Sequence, residues 1–68
     1  MDGHEWIAQF AQRLGLDAPD TALIDALLAL AGDAAHASER IAAPIACYLV
    51  GMAGADVATA RRLAAEVA

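Results

Sequence analysis

Apolar residues recur at intervals of three and four positions in four separate segments of the chain. This helical spacing predicts amphipathic helices over residues 3–14, 20–40, 44–53 and 57–67. The sequence contains no alternation of apolar and polar residues with a period of two and no Asn-Gly or Asp-Gly turn, so no strand is predicted. The pattern therefore predicts an all-α fold, a compact four-helix domain with short connections that spans residues 1–68.

Each predicted helix carries one apolar stripe that is expected to face the core. In the first helix we expect burial of Trp6 and Phe10 to anchor the helix, and Gly15 is placed to end it in the left-handed conformation. The other predicted inward positions are Leu23, Ile24, Leu27, Leu28, Leu30, Ala31, Ala34 and Ala35, then Ile45, Leu49 and Met52 with Tyr48 beside them, and finally Val57, Ala60, Leu63, Ala64 and Val67.

Two residue types interrupt the helical pattern. Pro44 disfavours helical geometry in the residue before it, so a bend is predicted at Ala42 and Ala43, with Pro44 in the first turn of the third helix. Gly32 lies within the second helix, where glycine costs about 1 kcal/mol relative to alanine. Either another backbone approaches Gly32 closely, or the glycine is merely tolerated on a solvent-exposed face.

Charge and composition narrow the classes of partner. The net charge is −5, and all four basic residues are arginines, only two of which are adjacent, so binding to nucleic acid or to an anionic membrane is not expected. The longest uncharged run, residues 41–55, is shorter than the ~20 residues that span a bilayer. Cys47 is the single cysteine. It is predicted to be a small buried hydrophobe, and an unpaired thiol favours a cytoplasmic location.

The most polar cluster comprises Asp33, His36, Glu39 and Arg40, at the predicted end of the second helix. Their spacings of three and four would place them on one helix face. A metal site would need more ligands than this cluster and the distant His4 provide, and no nucleophile motif accompanies an Asp33–His36 dyad, so neither metal binding nor catalysis is predicted. The cluster is interpreted either as basic residues placed favourably at a helix C-terminus or as a docking surface.

Residues 27–51 resemble a short helical domain family of unknown function from GC-rich, actinobacterial-type genomes. The family pattern A-x-D-x-A-H-x-x-E-R-x-A-A-P is matched by Ala31, Asp33, Ala35, His36, Glu39, Arg40, Ala42, Ala43 and Pro44. Ile41 departs from it, because a proline or small residue is expected after the arginine. Domains of this family occur alone or attached to molybdenum-cofactor guanylyltransferases. The resemblance therefore implies an accessory module in molybdenum-cofactor maturation, and it carries over no catalytic residue.

Three functional hypotheses remain. The first is a non-enzymatic interaction module that binds a cofactor-maturation enzyme, such as a molybdenum-cofactor guanylyltransferase, or a second copy of itself. The second is a binder of a small anionic cofactor, in which His36 and Arg40 hold a phosphate group. The third, an enzyme, is disfavoured because 68 residues leave little room to enclose a substrate. A homodimer through the face of Ala29 and Gly32 would supplement the thin core that so small a chain allows.

Overall fold

The computed structural model describes residues 1–67, which form four helices. They are α1 (Gly3–Arg13), α2 (Thr21–Ala37), α3 (Ala42–Ala53) and α4 (Val57–Ala64). The connections span residues 14–20, 38–41 and 54–56, and the described part of the chain contains no strand. The predicted all-α architecture with short connections is confirmed.

Aspartate side chains cap the starts of three helices. Asp2 accepts a hydrogen bond from the backbone N–H of Glu5, and Asp20 accepts one from that of Leu23, both at 2.8 Å. Asp56 caps α4 by accepting from the N–H groups of residues 58 and 59. Each carboxylate satisfies an N–H that has no partner within the helix, and its charge suits the positive end of the helix dipole.

Glycines in the left-handed conformation follow two of the helices. Gly15 has a φ of 78° after α1, and Gly54 has a φ of 65° after α3. After Gly15 the N–H of Leu16 donates to the carbonyl of Ala11 at 2.9 Å, which turns the chain back over the helix end. The predicted role of Gly15 is confirmed.

The junction of α2 and α3 differs from the prediction. α2 ends at Ala37, three residues before the expected boundary at residue 40, because the backbone of Ser38 leaves the helical region, with φ of −139° and ψ of −98°. The expected bend at Ala42 and Ala43 is wrong, since these two residues form the first turn of α3. Pro44 also lies in that first turn, as predicted, where its missing N–H costs no helical hydrogen bond.

The core lies around α2, which packs against both α3 and α4. Its centre is Leu30, only 2% exposed, together with Val57 and Ala60 of α4. Partly buried side chains surround this centre: Ala26, Leu27, Cys47, Val50 and Ala64. Cys47 therefore contributes to the packing, but it is half-buried and not fully buried as predicted. Its thiol lies 4.0 Å from the carbonyl oxygen of Leu27. Alanines supply much of this core, so it is thin.

Several side chains predicted to face inward are instead exposed. Trp6 and Phe10 are 55% and 49% exposed, so the expectation that their burial anchors α1 is wrong; Ala11 is the buried residue of that helix. Other exposed positions are Leu23 and Leu28 of α2, and Leu63 and Val67. Val67 lies beyond α4, which ends at Ala64 and not at residue 67, because the N–H groups of Glu66 and Val67 bond to carbonyls three positions back instead of four.

None of the helices in residues 1–67 combines the length and the apolar character needed to cross a membrane.

Candidate functional site

An ion pair joins α2 to α4 next to the predicted polar cluster. Nε of Arg61 donates to one carboxylate oxygen of Asp33 at 2.7 Å, and Nη2 donates to the other at 3.2 Å. This two-pronged geometry matches the planar guanidinium to the planar carboxylate. The two residues are 28 positions apart in sequence, so helix packing alone brings them together.

The pair changes the titration of both partners in the expected directions. The hydrogen bonds from Arg61 lower the pKa of the Asp33 carboxyl below its ordinary value. Partial desolvation raises that pKa, and the positive charges of Arg61 and His36 lower it further. In turn, the bonds to Asp33 raise the pKa of the Arg61 guanidinium. Both groups are therefore held in their charged forms near neutral pH.

An open groove of about 640 Å³ borders this ion pair. Its polar lining consists of Asp33, His36, Arg61 and Arg62, and its apolar lining consists of Ala37, Ala64 and Ala65. Arg61 and Arg62 lie in the last turn of α4, and His36 lies in the last turn of α2. Basic side chains at these positions interact favourably with the negative ends of the helix dipoles. Arg62 also donates to the hydroxyl of Thr59 at 3.2 Å. These side chains stabilise the ends of two helices, and the charge of the Asp33 carboxylate is already balanced by Arg61.

The structure divides the four predicted surface residues into two groups. Asp33 and His36 line the groove, whereas Glu39 and Arg40 lie beyond the end of α2 and do not line it. Glu39 borders a separate shallow hollow beside Ile41 and Ile45. The predicted spacing fails because α2 stops at Ala37, so positions 39 and 40 no longer follow the helical repeat.

Arg61 and Arg62 are the charged residues of the groove that sequence reasoning missed. No local spacing links Arg61 to an acidic residue of the second helix. Within residues 1–67, no group of three or more His, Cys, Asp or Glu side chains is arranged to hold a metal ion.

The second feature is an apolar surface on α3, termed here the outer stripe. It consists of Ile41, Ile45, Tyr48, Leu49 and Met52, whose exposed fractions lie between 58% and 75%. At 100° per residue these five positions fall within one side of the helix. The prediction that Ile45, Leu49 and Met52 face the core is therefore wrong. The core-facing side of α3 includes the smaller side chains of Cys47 and Val50.

The reason for this reversal is the size of the side chains on the two faces of α3. Both faces are apolar, so hydrophobicity alone does not determine which one is buried. The smaller side chains let α3 approach α2 closely, and the space beside Leu30 is already occupied by residues of α2 and α4. The large side chains are left on the outside.

The family model for the domain of unknown function DUF6457 matches residues 1–68. The chain belongs to this family. The assignment agrees with the predicted resemblance to a short domain family of unknown function. No curated protein and no solved structure matches the DUF6457 chain.

A further aromatic feature of the DUF6457 domain lies on α1. The rings of Trp6 and Phe10 stack on each other with centroids 4.9 Å apart. Their contact shields part of each ring from water without covering either by another helix. Gly32 of α2 is half-buried, and a Cβ built there would meet no atom within 4 Å outside the backbone of its own helix. The space beside Gly32 therefore accepts a side chain, which favours the interpretation that the glycine is tolerated.

Proposed function

We propose that the DUF6457 domain is a non-enzymatic protein interaction module that docks through the outer stripe of α3. The observation that carries the proposal is the exposure of five large apolar side chains on one side of a single helix. Helices of monomeric proteins normally turn such side chains toward the core. An apolar stripe facing water is therefore the expected signature of a surface that a partner covers.

The area of the outer stripe is large enough for docking. A fully exposed side chain of this size presents about 200 Å², so five that are more than half exposed together present on the order of 600 Å². The largest apolar patch of a typical monomer spans roughly 300–600 Å² and is often functional. Covering the outer stripe would stabilise a complex by about 25 cal/mol for each Å² of apolar surface removed from water. The free-energy cost of association is then subtracted from this gain.

The groove beside Asp33 supports the alternatives less well. A binder of an anionic cofactor was expected to use His36 with Arg40, but Arg40 does not line the groove that His36 borders. Arg61, which does, is already paired with a carboxylate. The negative ends of α2 and α4 also face this region and oppose a bound anion. As an enzyme active site, the groove is too open to exclude water from a reaction.

For the partner, we propose a protein of molybdenum-cofactor maturation, with a molybdenum-cofactor guanylyltransferase as the first candidate. This part of the proposal is supported only by the resemblance of residues 27–51 to domains attached to such enzymes. It places the domain in the cytoplasm, in agreement with the single unpaired cysteine.

The experiment compares two matched surface variants. Leu49→Asp places a charge in the outer stripe, and Leu63→Asp places the same charge on α4 at a side chain of nearly equal exposure, 55% against 58%. Binding of each purified domain to an immobilised guanylyltransferase is measured by biolayer interferometry. We expect the wild type and Leu63→Asp to bind alike and Leu49→Asp to bind at least tenfold more weakly.

The outcomes separate the parts of the proposal. If the wild-type domain does not bind the guanylyltransferase, the molybdenum-cofactor partner is wrong. If Leu49→Asp alters neither this binding nor the association of the chain with a second copy, the outer stripe is not a docking surface.

A further inference from the structure

We propose that the outer stripe of α3 binds the same stripe of a second copy of this chain, so that two α3 helices pack antiparallel across a twofold axis. The inference rests on the proposed docking function and assigns the stripe to a second copy of the chain, which would compete with the guanylyltransferase for the same surface. A twofold contact uses one surface patch on both subunits, and the features of this patch are those that self-association requires.

The first of these features is the spacing of the outer stripe. Ile41, Ile45, Tyr48 and Met52 are separated by four, three and four residues. This alternation is the seam of a helix that packs against a similar helix with its side chains interdigitated. Leu49 widens the seam on one flank. The same spacing on both copies lets each large side chain fit between those of the other helix.

The second feature is charge. Two chains of net charge −5 repel each other, but no charged residue occurs from Ile41 to Ala55. Contact through α3 therefore brings together the part of each surface that carries no charge. In an antiparallel pair Arg40, just before α3, would lie near Asp56 of the other copy, just after its α3. Glu39 shares that end with Arg40, so attraction there depends on how the arginine side chain extends.

The third feature is area. Covering both outer stripes would bury on the order of 1,200 Å² in total, the low end of the range for specific protein–protein interfaces. A small domain with a thin core also gains more from a second apolar contact than a larger protein does. In an antiparallel pair, the positive end of each helix dipole lies beside the negative end of the other, and this attraction stabilises the contact.

Sedimentation equilibrium of the wild-type chain, from micromolar to millimolar concentration, tests the inference. We expect a concentration-dependent rise from the 7.0 kDa of one chain toward twice that mass. Leu49→Asp should raise the dimer dissociation constant at least tenfold, and Leu63→Asp should change it less than threefold. Circular dichroism at 222 nm verifies that both variants remain helical.

A second measurement uses the unmodified chain and so does not depend on the folding of a variant. Amide chemical shifts recorded over the same concentrations should move mainly in residues 41–52. A wild-type chain that stays monomeric at millimolar concentration overturns the inference, as do shifts confined to Trp6 and Phe10 or to the Ala29–Gly32 face. If the chain is monomeric while Leu49→Asp still weakens binding to the guanylyltransferase, the docking function stands and only the proposed self-association is wrong.

Discussion

Truncation of Leu30 tests how much of the stability depends on one buried side chain. Leu30 is 2% exposed at the centre of the contact between α2 and its neighbours, whereas Leu28, two positions away on the same helix, is 63% exposed. Leu30→Ala removes a buried branched side chain and leaves a cavity, at a cost of about 2–5 kcal/mol. Leu28→Ala removes a side chain with little more than a third of its surface covered, at a cost below about 1 kcal/mol.

The stability lost in Leu30→Ala is a large fraction of the stability of the domain, because the total free energy of unfolding is small. A single core of this size supplies about 3–5 kcal/mol, so Leu30→Ala is expected to leave the domain marginally folded or unfolded at 25 °C. With a urea slope near 1 kcal/mol per molar, its unfolding midpoint should fall by about 2 M or more, and that of Leu28→Ala by less than about 1 M.

The assay is urea unfolding followed by circular dichroism at 222 nm, with every variant at the same low micromolar concentration because self-association would add stability. The buffer and temperature are held constant between the two variants. Losses of stability within about 0.5 kcal/mol of each other would refute the division of α2 into one buried and one exposed leucine face.

Three further predictions concern charge, backbone and aromatic contacts. Because the folded-state pKa of Asp33 is depressed, its ion pair stabilises the fold above the ordinary carboxyl value of 3.8 and is lost as the pH falls through the folded pKa. Asp33→Asn should therefore lower the urea midpoint at pH 7 and lower it progressively less as the pH is reduced below 3.8; an effect that does not change with pH would contradict this. In thermal unfolding, Gly32→Ala should stabilise the domain by about 0.5–1 kcal/mol, whereas Gly54→Ala should destabilise it because a side chain is strained at a positive φ. Effects of the same sign would refute the view that Gly32 is tolerated in a helix and Gly54 is required by its backbone conformation. Trp6→Ala should lower the free energy of unfolding by well under the roughly 3–5 kcal/mol that truncation of a buried aromatic costs. Trp6 is stacked on Phe10 but open to water, so its fluorescence emission should resemble that of an exposed tryptophan; a blue-shifted emission with a large loss of stability would show that these rings anchor α1.

The candidate site was predictable only in part. Asp33 and His36 were identified from their spacing on one helix, and the structure places both beside the groove. Arg61 was missed because its partner is 28 residues away, and only the packing of α4 on α2 brings the two together. Glu39 and Arg40 are grouped with the site by a pattern that assumes α2 continues, and the non-helical backbone of Ser38 ends it earlier.

The sequence by itself determined the number of helices and most of their ends, because these depend on short-range chemistry. Asp20 and Asp56 cap the helices that follow them, and Gly15 and Gly54 end helices in a conformation that other residues avoid. Such signals act over a few residues and need no knowledge of the remaining chain.

Only the tertiary structure decided which side of α3 is buried. α3 is apolar on two faces, so its hydrophobic pattern contains no preference between them, and the choice depends on the volume that remains beside Leu30. Small residues such as Cys47 fit that volume, and Ile45 and Met52 do not. The exposed stripe on which the proposed function depends is therefore a result of packing, which no local pattern in the chain encodes.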